Sequence, residues 1–317
     1  MTDWSDLRRW PDVEASNLQA WDASDSLILD EAGDLGREVV VIGDRHGALT
    51  LGALDGGATR VRVQQDGVLN ERALDANAAR RRVEGFEHHA LDADLVRDAR
   101  LVLLQLPRSL DELDEIAQLV AAHAHPEVRL VAGGRVKHMS RSMNDVLAAS
   151  FGDVRPSLAR QKSRVLHVTQ PRKDVAVTWP RQQRHEDAGL TISAHGGVFA
   201  GAGIDIGTRL LLDHLPEMRS AEQAIDLASG NGVVAAALVL ARPDLRVLAT
   251  DQSAAAIAST VATVAANDVS DRVDVVRADG LETVDTASAQ LIVLNPPFHV
   301  GAAVHTGLAE RLFADAA

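Results

Sequence analysis

The chain has 317 residues, about twice what one compact domain needs, and 46% of them are hydrophobic, so two globular cores are expected. It has no cysteine, which excludes disulfides, thiolate nucleophiles and cysteine-based zinc sites; its formal charge of -13 excludes a protein that coats nucleic acid over its whole surface. No run of eighteen apolar residues occurs and the opening MTDWSDLRRWPD lacks the order of a signal peptide, so a cytoplasmic protein that neither spans nor crosses a membrane is expected.

In chain order, residues 39–54 (VVVIGDRHGALTLGAL) read as a buried strand, a turn and a helix, and ATRVRVQQD brings a second strand that ends in Asp66. A strand at 101–105, a helix at 111–123 and a strand at 128–132 continue the unit. SRVLHVT and VAVTWP then read as short strands, punctuated by Pro171 and Pro180. From Arg155 to Arg184 the chain carries Arg155, Arg160, Lys162, Arg164, Arg172, Lys173, Arg181 and Arg184 against the single acid Asp174, a candidate phosphate-facing strip or else a solvated linker.

The first pattern returns at a constant offset of 185 residues. AIDLASGNGVVAAAL again gives strand, turn and helix, and DLRVLATD a second strand; Gly47 falls under Gly232 and Asp66 under Asp251. Strands alternating with helices imply parallel, doubly wound α/β units with right-handed crossovers. The expected fold class is therefore α/β with two tandem Rossmann-like domains, a first over 1–180 and a second over 181–317. Only nineteen residues follow Phe298, so the second domain is expected to be truncated.

Chemistry concentrates at four strand ends of the second half. Gly230 and Gly232 let backbone approach a ligand at a helix N-terminus, and Asp251 can accept two hydrogen bonds from ribose hydroxyls. A dinucleotide enzyme could use the same pair. Asp279, in VDVVRADG, can meet an adenine edge. LIVLNPPF then sets Asn295, Pro296, Pro297 and Phe298 at the end of the fourth apolar strand. An amine conjugated to a base is a poor nucleophile, so an enzyme that methylates it must hold both N–H groups. The Asn295 carbonyl and the Pro296 backbone oxygen can do so, stiffened by the prolines, with Phe298 as a flat face for the base.

These residues make the second half similar to amino methyltransferases with an NPPF/Y motif. The whole length, including HGGVFAGAGIDIGTRLLLDHLP, resembles the bacterial rRNA guanine-N2 methyltransferases of the RsmC and RlmG type, in which an inactive methyltransferase-like domain (class I) precedes an active one. LPRSLDELDEIAQLV and AGGRVKHMSRS resemble the large-subunit enzymes more. The resemblance implies S-adenosylmethionine as cofactor, held by Phe199, Asp205, Gly207, Asp226, Ala228, Gly230, Gly232, Asp251, Asp279 and Asn295. It implies guanine N2 as acceptor, held by Asn295 to Phe298, and ribosomal RNA as partner. Ala228 and Ser229 depart from the family's usual glycine and small residue. A protein glutamine or DNA adenine methyltransferase, or a silent RNA-binding protein, are the alternatives. The first half has Gln105, Leu106, Pro107 and Arg108 where the asparagine motif should stand, and Arg45 and His46 in its turn. No catalysis is expected there, and Arg135, Lys137 and Arg141 suit RNA placement. The twelve histidines, His88–His89 and His123–His125 included, lack metal-ligand spacing, so no metal is expected. The sequence leaves the oligomeric state open.

Overall fold

A computed structural model describes residues 4–15, 17–296, 299–300, 303–304 and 306–316. The chain divides into two compact units, Met1–Thr178 and Trp179–Ala317.

The first unit runs α1 (Ala23–Ala32), β1 (Glu38–Ile42), α2 (Ala48–Asp55), β2 (Arg60–Gln64), α3 (Val68–Arg81), β3 (Phe86–His88), α4 (Ala93–Val96), β4 (Leu101–Gln105), α5 (Leu110–His123), β5 (Arg129–Arg135), α6 (Arg141–Ser150), β6 (Phe151–Pro156) and β7 (Ser163–Pro171). The sheet order is β3-β2-β1-β4-β5-β7-β6. Side chains alternate across a strand, so β1 feeds both faces: Val39 and Val41 join Leu27, Leu49 and Leu74, whereas Val40 and Ile42 join Leu95, Leu113 and Leu147. In α5 the spacing Leu113, Ile116, Ala117, Val120 forms one buried stripe, started by Ser109, whose hydroxyl accepts from the Glu112 amide.

Two sequence expectations change here. The sheet is mixed rather than wholly parallel, because β7 runs antiparallel to both β5 and β6. The short connection from β6 to β7 permits only a hairpin. Residues 175–180, VAVTWP, form no strand; Pro180 lacks the N–H a ladder needs, and the Thr178 amide donates instead to Gln118 Oε1 at 2.8 Å.

The second unit runs β8 (Arg181–His185), β9 (Leu190–Ala194), α7 (Ile206–Asp213), β10 (Gln223–Leu227), α8 (Val233–Ala241), β11 (Arg246–Asp251), α9 (Ala254–Ala266), β12 (Val273–Arg277), β13 (Leu291–Leu294), β14 (His299–Val300), β15 (Ala303–Val304) and α10 (Thr306–Asp315). Its parallel sheet has the order β12-β11-β10-β13, repeating that of β3-β2-β1-β4. The β8–β9 hairpin lies apart from that sheet and is fastened by side chains of α9. The amides of Thr191, Ser193 and His195 donate to Asn267 Oδ1, Thr263 Oγ1 and Ser259 Oγ at 2.9, 3.0 and 2.9 Å. Every second strand residue advances about 6.6 Å and every fourth helix residue about 6 Å, so the two rows stay in step. On the other sheet face α10 lays Leu312 against Ile225 and Leu227. In both sheets the strand order reverses at the first strand, and an open α/β sheet has its ligand crevice beyond the strand ends at that reversal.

Candidate active site

The reversal in the second unit falls between β10 and β13, where Leu227 pairs with Leu294. The next residues out are Ala228, which opens the glycine turn, and Asn295, so the carboxamide stands beside that turn. Pro296 is buried. Pro297 and Phe298, the other two residues of the expected substrate grip, lie outside the described residues.

Within the turn each residue has a separate task. Gly230 adopts φ +56° and a Cβ there would meet nothing within 4 Å, which leaves open space at the start of α8. Gly232, at φ +76°, is needed for packing, because a Cβ would lie 2.7 Å from Thr260 Cα on α9. Asp226 is 2% exposed and lies under the turn, where its Oδ2 accepts from the Ala235 amide at 2.9 Å. Burial, with a smaller contribution from the Asp251 charge, pushes its carboxyl up to about 7 against that hydrogen bond. Asp251 accepts from the Gly230 amide at 3.0 Å and the Ser253 amide at 2.9 Å. Asp279 is gripped by both guanidinium nitrogens of Arg311 on α10, at 3.0 and 2.6 Å.

The segment leading into α7 meets the same place. Asp205 is the N-cap of α7 and accepts from the Gly207 amide at 2.9 Å. Asn295 Nδ2 donates to Asp205 Oδ2 at 3.1 Å and to Thr208 Oγ1 at 2.9 Å, and the Thr208 hydroxyl donates in turn to Asp205 Oδ2. Phe199, by contrast, is 72% exposed. Sequence reasoning passed over Thr208 and Asn231. Asn231 is buried and donates from Nδ2 to the carbonyls of Gly201 at 2.8 Å and Gly203 at 2.9 Å, pinning this segment to the turn. The available signal for Thr208 was its place three residues after a capping aspartate, where it faces the cap carboxylate.

The first unit reproduces this frame with other side chains. Ile42 pairs with Leu104, so Gln105 holds the station of Asn295. Its Nε2 donates to Asp25 and, at 3.1 Å, to Ser24, both in the first turn of α1. His46 stands where Asn231 stands and contacts the Ala20 carbonyl at 3.3 Å and Asp12 at 3.0 Å. Asp44, 2% exposed, accepts from the Gly47 and Thr50 amides at 3.0 and 2.9 Å. Its charge thus fills the start of α2 that a ligand would otherwise use. At the same strand ends a cleft of about 460 Å³ is lined by Arg45, Arg108, Arg135 and Lys137 together with Asp22, Asp25 and Asp44. None of the four basic side chains makes an ion pair among the described residues. Burial and then the fields of Arg108, Lys137, Arg45 and Arg135 lower the His138 imidazole below its usual range.

The basic strip is divided between the two units. Arg155, Arg160, Lys162, Arg164, Arg172 and Lys173 belong to the first unit, Arg181 and Arg184 to the second. Arg155 pairs with Asp153, Arg160 with Asp30 and Glu31, and Arg184 with Glu186. The Arg172 Nε donates to the Ala148 carbonyl at 3.2 Å, Arg181 stacks 4.0 Å over the Trp179 ring, and the Arg164 side chain is partly buried. Lys162 and Lys173 are exposed. Among the described residues no group of three His, Asp or Glu side chains could hold a metal ion, and no helix is long and apolar enough to cross a membrane.

The family model described as the RLMG N-terminal domain matches residues 2–172, and the methyltransferase small domain matches residues 189–317. The chain is similar to ribosomal RNA large subunit methyltransferase G of Streptomyces avermitilis, with 34% identity over 98% of this chain and 84% of that protein. A protein of the same name from Streptomyces coelicolor is 34% identical over 99% of this chain and 87% of its own length. Among solved structures, the T. thermophilus 16S rRNA N2 G1207 methyltransferase RsmC, in complex with AdoMet and guanosine, shares the fold. Its TM-score is 0.71 at 21% identity, covering 92% of this chain and 78% of that one.

Proposed function

Because the chain belongs to the ribosomal RNA large subunit methyltransferase G family, we propose that it methylates the exocyclic N2 of a guanine in large-subunit ribosomal RNA, with S-adenosylmethionine as donor. The second unit carries the reaction, and the first, which has Gln105 in place of asparagine, places the RNA.

The observation that carries this reading is Asn295, one residue beyond the β10–β13 pairing and next to the glycine turn, with its N–H2 side committed to α7. The surroundings fit the donor: there is open space at Gly230, and the Asp251 carboxylate stands at the end of β11. When bound, S-adenosylmethionine supplies an electrophilic methyl group on a sulfonium. Gly230 and Asp251 would hold it, the aspartate as acceptor for ribose hydroxyls. Asn295 Oδ1 and the Pro296 carbonyl accept the two N–H groups of the guanine amine. These acceptors aim the nitrogen and stabilise the positive charge that grows on it, so no strong base is required. From sequence, Phe298 supplies the flat face for the flipped base. Arg45, Arg108, Arg135 and Lys137 at the cleft of the first unit can take RNA phosphates even though the protein as a whole is acidic.

The test is methyl transfer from labelled S-adenosylmethionine to ribosomal RNA purified from a strain lacking the gene, with large- and small-subunit RNA offered separately. Label on a guanine of the large-subunit RNA is expected. Asn295→Ala should lower turnover at least 100-fold while the calorimetric affinity for S-adenosylmethionine stays within twofold. Label on neither RNA would refute the reading, and parallel loss of cofactor affinity would refute the role of Asn295.

A further inference from the structure

We propose that Asp205, Thr208 and Gly207 are positioning residues that fix which face of the Asn295 carboxamide the substrate meets. The inference deepens the reading above and rests on it for the identity of the substrate.

An asparagine side chain is nearly symmetric in shape and opposite in chemistry at its two ends. If it rotates by half a turn about its last bond, a donor replaces the acceptor and an incoming amine meets N–H groups instead of oxygen. A strand tip alone gives no preference. Here the preference is built from α7. Asp205 Oδ2, a carboxylate oxygen, can only accept, so the Asn295 atom 3.1 Å away must be nitrogen. Thr208 could present either a hydrogen or a lone pair. Its hydrogen is used on Asp205 Oδ2, so a lone pair faces Asn295 Nδ2 at 2.9 Å. The nitrogen end of the carboxamide is therefore the one turned toward α7. Oδ1 is left as the free end.

Gly207 completes the device by its lack of a side chain. A Cβ there would lie 2.9 Å from Asn295 Oδ1 and 3.4 Å from its Cγ. Its backbone is outside the left-handed region and helical, so no turn geometry demands glycine. Close approach of the carboxamide does. The first unit gives an internal comparison: Gln105, at the same station, is held by Ser24 and Asp25 from the first turn of α1. Anchoring of this carboxamide by one carboxylate and one hydroxyl at the start of the preceding helix is thus common to both units, and the shorter asparagine is particular to the second.

The test uses the full chain and two readouts. The first is kinetic. Thr208→Val keeps the shape and removes the lone pair, and it should lower kcat at least tenfold with S-adenosylmethionine affinity within twofold. Thr208→Ser should recover kcat to within threefold of the parent. Gly207→Ala suits a helix and removes no hydrogen-bonding group, so it should fold normally and still lose kcat by displacing the carboxamide. Thr208→Val retaining more than half of kcat, or losing cofactor affinity in step with kcat, would overturn the proposal. The second readout needs no turnover: the side-chain N–H2 signal of Asn295 in protein labelled with 15N-asparagine, identified by its loss in Asn295→Asp. It should be protected from solvent exchange in the parent and lose protection in Thr208→Val; an unchanged signal overturns the positioning role. A parent chain that methylates no RNA refutes the proposed function instead, and the N–H2 signal still decides the role of Thr208.

Discussion

Ala228 and Gly43 occupy the same place in the two units and share a left-handed backbone, with φ +59° and +78°. In the first unit that place excludes a side chain, since a Cβ on Gly43 would lie 3.1 Å from the Gln105 carbonyl oxygen. In the second unit alanine accepts a conformation that costs roughly 1–2 kcal/mol, part of which is recovered through its lower freedom in the unfolded chain. Ala228→Gly should therefore stabilise the second unit by about 0.5 kcal/mol. A fall in the urea midpoint would show instead that the alanine methyl is worth more through its packing against the β10 and β13 core than it costs in strain.

Gly232 and Gly47 begin corresponding helices, but they should respond unequally to a methyl group. A Cβ on Gly232 meets the Thr260 backbone at 2.7 Å, whereas one on Gly47 meets the end of the Leu74 side chain at 2.8 Å. A side-chain end can turn away and a helix backbone cannot. Gly232→Ala should cost about 3 kcal/mol or more and Gly47→Ala about 1–2 kcal/mol, both including the strain of positive φ. Thermal unfolding of the two variants gives the order directly, and the reverse order would contradict the packing described.

Stability should fall as pH rises toward neutrality. Asp25 is pushed up to about 7 chiefly by burial, with Asp44 and Asp22 adding to the shift, and Asp226 reaches about 7 by burial and Asp251. For a carboxyl whose folded value exceeds its unfolded value of 3.8, the folded state binds more protons between the two. Its contribution is complete below the unfolded value and is lost as pH climbs through about 7. Asp226→Asn, whose oxygen can still accept from Ala235, should match the parent near pH 4 and exceed it at pH 8 by on the order of 2 kcal/mol. Glu112, also pushed up to about 7 by burial and by Asp66 and Glu115, keeps a residual slope in the variant. Equal urea midpoints of parent and variant at pH 8 would count against the assignment.

RNA affinity should depend on the first unit's cleft through charge. Replacing Arg108 and Arg135 by alanine should weaken binding to all RNA sequences alike and reduce the slope of log affinity against log salt by about 1–2, at roughly 0.7–0.9 per phosphate contact. Filter binding between low and moderate salt measures it. The same pair of changes in Arg155 and Arg160, already matched by Asp153, Asp30 and Glu31, should do less.

The duplicated strands, the glycine turns and the tip positions of Gln105 and Asn295 were legible in the sequence because each rests on local apolar runs at a fixed offset. The hairpin of β8 and β9 was not. Its attachment rests on Ser259, Thr263 and Asn267, far along the chain, and polar residues within a helix and at its end give no local sign of such a task. The surroundings of the arginine strip were hidden for the complementary reason. Charge counted along a sequence ignores acids such as Asp30 and Glu31 that folding brings alongside. Thr208 fell between the two cases, adjacent to a recognised residue but meaningful only once α7 meets β13.

The contacts from Asn231 to the Gly201 and Gly203 carbonyls set the stage at which order is imposed. A glycine-rich stretch such as GAG would otherwise lose its freedom when a ligand arrives, and the loss would be subtracted from affinity. With the stretch tethered during folding, that entropy is spent before any encounter, and a small molecule reaches a shape that is waiting for it.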